Sequence, residues 1–193
     1  MTAAARVVLI LCAVASLATA CTSGSTDPAQ GANVNVDLSS SHTITQAPAP
    51  LRNDALQIDQ PGEVTVRLPG GRAFHGGDEV ESITFDAVGS RPGLLRGVSI
   101  IFERLTTDAA FALGKKLSGE WIPDTAGNLD RWHEERLAQR AAGHEDVMTT
   151  TAVTNPDHHI GGPDGPTVDV EILYSFDPGQ PGSVALRFVW PTG

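Results

Sequence analysis

Two adjacent histidines, His158 and His159, lie in segment 155–166 together with Asp157 and Asp164. Two imidazoles and two carboxylates within eight residues are donors suited to a divalent transition metal, and through it to metal-dependent hydrolysis. The spacing matches no zinc or calcium motif. Neighbouring side chains on an extended backbone also point to opposite sides, which makes the two histidines a poor chelating pair. A polar turn between two strands is the simpler reading. His133-Glu134 begins like a zincin motif, but Leu137 stands where the second histidine belongs, so no metal and no cofactor is expected. Segment 74–79 is glycine-bearing without a phosphate-loop frame, and no serine stands in a G-x-S-x-G setting. The remaining carboxylates are scattered. No catalytic residue is expected, and the chain reads as a non-enzyme.

These side chains need a scaffold, and hydrophobic periodicity supplies one. Period-2 alternation predicts strands over 63–68, 81–88, 98–103, 147–154, 167–176 and 184–190. The last two are expected to form a hairpin through 177–182. After the third strand the period lengthens. Thr107 is the expected N-cap of a helix carrying Ala110, Leu113, Leu117 and Trp121 on one face, weakened by Gly114 and ended by Pro123. A second helix is expected over 128–142, with Leu129, Trp132, Leu137 and Ala141 as its apolar stripe and Gly143 as its cap.

The order β-β-β-α-α-β-β-β, with one wet face on every strand, implies a two-layer α+β fold. Its mainly antiparallel sheet of about six strands would carry both helices on one face. The outward positions are mostly polar, as a solvated sheet requires. Ile101, Leu173 and Val189 depart from that pattern, and if their strands are neighbours they form a small apolar patch fit for a partner.

The chain carries 13 basic and 23 acidic side chains, for a net charge of −10. Phosphate backbones and anionic lipid headgroups repel such a surface, so nucleic-acid binding is not expected. Residues 7–20 form an uncharged run behind Arg6, shorter than the roughly 20 residues that span a bilayer. Small residues Ala18, Thr19 and Ala20 follow Leu17, and Cys21 comes next. This arrangement resembles the precursors of bacterial lipoproteins. The resemblance covers the leader and Cys21 alone. It implies cleavage before Cys21, a diacylglycerol on its thiol, frequent acylation of the new amine, and residence on the extracytoplasmic face of a cell membrane. Ala18-Thr19-Ala20 also reads as the cleavage box of an ordinary secreted protein.

Cys12 would leave with the leader, so the mature chain is expected to hold no disulfide. Residues 1–20 are thus read as a signal peptide, 21–50 as a lipidated N-terminus and flexible tether in which the alternation of Val34, Val36 and Leu38 offers the domain an edge strand, and 51–193 as one domain. Three functions follow from these features. The first is a membrane-anchored envelope lipoprotein with a non-catalytic domain that binds an envelope protein or ligand. The second is a carrier of a lipid or other apolar ligand between sheet and helices. The third is a metal-dependent hydrolase using His158 or His159.

Overall fold

The computed structural model describes residues 31–44, 55–88, 91, 93–144, 149–174 and 182–191. Along the chain run β1 (Val34–Asp37), β2 (Leu56–Asp59), β3 (Val64–Arg67), β4 (Ala73–Gly76), β5 (Ser82–Ala87) and β6 (Leu95–Leu105). Then come α1 (Thr107–Trp121), α2 (Asn128–Ala141), β7 (Thr149–His159), β8 (Thr167–Tyr174) and β9 (Gly182–Val189). Six strands form one sheet in the order β2-β5-β6-β9-β8-β7, and all its pairings are antiparallel. A smaller sheet has the order β1-β3-β4. The fold is α+β.

Alternation gives the main sheet one dry face. Ile83, Phe85, Val98, Ile100, Val168, Val170, Ile172, Leu186 and Phe188 are all at most 1% exposed. α1 covers β8, β9 and part of β6, and α2 covers β7. Close approach is possible because α1 turns Gly114 toward the sheet, where a side-chain carbon would stand 2.8 Å from Ile172 Cδ1. The helix propensity lost to glycine, about 1 kcal/mol, is offset by this contact.

Both helices are fixed at their ends. Thr106, one residue before the expected cap, accepts a hydrogen bond from Ala109 N at 3.2 Å, and Asp108 sits in the first turn. α2 starts at a left-handed Gly127, and its first amides are capped from upstream. Asn128 N and Leu129 N each donate to the Asp124 carboxylate at 2.9 Å. The helices clasp each other through His133, whose ring stacks on Phe111 at 4.0 Å while Nε2 lies 2.9 Å from Asp108 Oδ1. The stripe of α2 departs from expectation in its second half, where Leu137 and Ala141 are both exposed. Arg136 is fully buried and donates to Gln139 Oε1, whereas Leu137 is 44% exposed.

The small sheet covers what the helices leave open. Phe74 meets Phe102 edge to face at 6.4 Å, and Arg72 lies 4.2 Å over the Trp121 ring while donating to Glu120 O. Trp121 in turn packs edge to face on Phe188 at 5.1 Å. The expected first strand therefore exists as β3 but belongs to this cover. The unexpected β2 takes its place at the edge of the main sheet.

Strand β1 also lies within 21–50, the span expected as a flexible tether. Val34 N and Leu38 N donate to Glu63 O and Arg67 O at 2.8 Å, and β1 pairs in parallel with β3. Further on, His42 stacks with Trp190 at 5.5 Å, and Thr43 bridges Leu94. The folded body thus reaches back to residue 31. Val34 and Leu38 are buried, which holds an otherwise polar segment in place.

Segment 155–166 is likewise not one loop. β7 extends through His159, and the turn 160–166 closes against the β3–β4 turn, backbone to backbone. Gly161 has φ +78°, and a Cβ there would overlap Pro69 Cβ and stand 2.7 Å from its carbonyl carbon. Gly161→Ala is expected to cost about 1–3 kcal/mol through left-handed strain and overpacking. A lowered urea midpoint with unchanged slope checks it.

Candidate functional site

The other face of the six-stranded sheet carries neither helix nor small sheet among the described residues. Its cross-strand rows follow from the register. Ser82, Ile101, Ala185, Glu171 and Ala152 form one row, and Thr84, Ser99, Arg187, Asp169 and Thr154 form the next. Asp86, Gly97, Val189 and Thr167 form a third.

Over β5, β6 and β9 these rows hold short side chains at Ser82, Thr84, Ser99, Gly97 and Ala185, with Ile101, Arg187 and Val189 rising between them and Gln57, Glu171 and Leu173 at the borders. The result is a trough. One part of it, an open groove of about 320 Å³, lies over Ile101 and Ala185 between Gln57 on one side and Glu171 and Leu173 on the other. An adjoining groove of about 450 Å³ continues past Ser99 and Arg187 to Gly97 and Val189.

Of the three aliphatics expected to form a patch, Ile101 and Leu173 meet in the first groove, and Leu173 is 45% exposed. Val189 stands two rows from Ile101, about 14 Å along the strands, with the charged row of Arg187 between them. The patch is therefore two apolar ends of one trough. His158 and His159 lie at the end of β7, and His159 donates from Nδ1 to Gly165 O at 2.9 Å. Carbonyl oxygen only accepts, so the proton belongs on Nδ1, and the imidazole serves to hold the turn. Among the described residues no group of three or more His, Cys, Asp or Glu side chains converges. Cys21 lies outside the described residues.

Electrostatics give the trough its character. Arg187 Nη1 is 2.9 Å from Glu171 Oε2, an ion pair across neighbouring strands. Asp169 lies beside Arg187 in the same row and is half-buried, and no donor among the described residues hydrogen-bonds its carboxylate. Burial pushes the Asp169 carboxyl up from its ordinary value. The Arg187 guanidinium opposes the shift, and the Glu171 charge adds to it. Sequence alternation placed these residues outward. It carried no signal that Asp169 is half-buried without a donor, or that Gly97, Ser183 and Ala185 lower the floor.

No family model, no curated protein and no solved structure matches this chain. Its chemistry has to be read from the trough itself.

A folded-state pKa raised above the unfolded one makes charged Asp169 a cost to the fold. That cost is complete above the folded pKa and vanishes as pH falls below the ordinary carboxylate value. Asp169→Asn is thus expected to melt above the native protein near pH 7, with the difference closing toward about pH 3. Melting curves across that range check it, and a difference independent of pH would refute burial as the cause.

Proposed function

We propose that this chain is a lipid-anchored envelope protein on the extracytoplasmic face of a cell membrane, whose body is a non-catalytic binding module. The observation that carries the binding half is the trough, a sheet face uncovered among the described residues, with a floor of short side chains, aliphatic ends and charged borders. The anchor half rests on the uncharged leader followed directly by Cys21 and on the resemblance to lipoprotein precursors. Among the described residues no helix is long and apolar enough to cross a membrane. Attachment in this reading belongs to the acyl chains on Cys21.

The folded body includes residue 31, whose amide donates to Gln60 O, and this shortens the expected stand-off. About ten peptide steps from Cys21 to Gly31 reach at most about 36 Å. The binding module thus works close to the bilayer. Its partner is another envelope component within that reach, and an acidic body keeps the bilayer surface itself from competing.

The carrier reading needs room between sheet and helices, where Trp121, Leu129, Ile172 and Phe188 sit at 2% exposure or less. The hydrolase reading needs further ligands beside His158 or His159, and among the described residues no group of three or more His, Cys, Asp or Glu side chains converges. Neither has an observation in its favour comparable with the trough.

One experiment addresses both halves. A photo-crosslinking residue is placed at Leu173 in intact cells, with Leu137 on the helix side as a control, in native and Cys21→Ser backgrounds. The native protein should sediment with membranes and give a discrete adduct from position 173 but not 137. Cys21→Ser should leave the membrane fraction. Sedimentation unchanged by that substitution overturns the anchor, and an adduct confined to position 137 overturns the trough as the binding surface.

A further inference from the structure

The dimensions and charge of the trough restrict what can occupy it. Its borders lie on β2, at Gln57, and on β8, at Glu171 and Leu173. Four inter-strand steps separate β2 from β8, about 19 Å. Along β9, from Ser183 to Val189, the floor runs about 20 Å. An α-helix with its side chains is about 10–12 Å across, so one helix fits between the borders, whereas a single extended strand would leave much of the floor wet. The floor suits close approach of a helix. Ser82, Thr84, Ser99, Ser183 and Ala185 are short, and at Gly97 even a Cβ would stand 3.2 Å from Phe188 O. The dry face of the same sheet receives α1 in a comparable way, across Gly114.

Charge decides which helix. Asp86, Glu103, Asp169 and Glu171 border the trough, and Arg187, the cation among them, is taken up by Glu171. Asp169 is left half-buried without a hydrogen-bond donor among the described residues, so a cation arriving over the row of Arg187 would satisfy a carboxylate that the fold does not. Ile101 and Leu173 on one side of that row and Val189 on the other supply apolar contacts at both ends. A second copy of this chain is a poor occupant, since each copy carries a net charge of −10 and neither helix is strongly basic.

We infer that the trough docks a basic amphipathic helix of a partner protein. Lysine or arginine side chains of that helix would face Asp169, Asp86 and Glu171, and aliphatic side chains would face Ile101 and Leu173. This inference rests on the reading of the body as a binding module and is independent of the anchor at Cys21.

The test uses the full chain in zwitterionic micelles and an 18-residue helical peptide of alanine, leucine and lysine, with a photo-crosslinker at its centre. Glutamate replaces lysine in a second peptide, and two central prolines prevent helix formation in a third. Adducts are located on the protein by mass spectrometry. The lysine helix should attach to β5, β6 and β9 residues of the open face at least tenfold more than the glutamate helix. Yield should fall at least fivefold in the Asp169→Asn, Glu171→Gln double variant, whose melting temperature is recorded to show that it folds. Equal adducts from lysine and glutamate helices, or adducts on α1 and α2 instead, would overturn the proposal. So would an undiminished adduct from the proline peptide, or displacement of the helix by free lysine amide at equal concentration. Because the protein is solubilised whether or not Cys21 is acylated, failure here is separate from failure of the anchor.

Discussion

A sheet with one apolar face must have that whole face covered, and here the two helices lie over only one side of it. Six strands spaced about 4.8 Å apart span roughly 24 Å between the outermost axes, and the helices pack on β7, β8, β9 and part of β6. The sheet also twists away beneath them. With α1 over β8, β9 and part of β6, and α2 over β7, the strip at β2 and β5 would face water with Ile58, Ile83 and Phe85 exposed. The small sheet fills that strip. It is locked to the helical half by Arg72 over Trp121 and to the far turn by the backbone contact between Gly70 and Gly161. Residues 31–44 complete the arrangement, because β1 covers β3 and His42 covers Trp190.

With most large apolar groups committed to the dry side, the opposite side is built from short and charged residues, with Ile101, Leu173 and Val189 as its aliphatic exceptions. Short residues there lower the floor, and the acids that keep a strand face soluble stand around it. Asp169 shows the cost of this arrangement, since its carboxylate loses water to neighbouring side chains and gains no donor among the described residues. A residue that raises the energy of the fold in order to present a charge fits a surface that receives a cation. It has little place in a surface that only meets solvent.

Much of the fold was legible in the sequence. α1, α2, β5, β6, β8 and β9 are long enough for their periods to stand out, and turn or cap residues punctuate them. β2 and β4 have four residues each, and unlike β3, where the alternation of Val64 and Val66 continues to Leu68, they carry too few apolar residues to establish a period. β1 carries a short alternation, Val34, Val36 and Leu38, inside a composition that reads as tether, and its parallel pairing with β3 decides for the strand. The pattern of β3 showed a half-buried strand without showing which sheet owned it. In α2, Leu129 and Trp132 continue geometrically to position 136, and hydrophobicity pointed to Leu137 instead. The structure follows the geometry, so the buried residue is Arg136. At the site, alternation was enough to place Ile101, Leu173 and Val189 on the wet face. Their separation depends on strand order and register, which local sequence does not encode.

The central claim is that this sheet is closed on one side and open on the other, and neighbouring residues of β6 test it most directly. Ile100 is fully buried and Ile101 lines the trough. In the native protein, Ile101→Cys should react with a maleimide at a rate near that of a free thiol, and Ile100→Cys only after unfolding. Equal protection of both thiols would mean that the second face is also covered, and the account would be wrong.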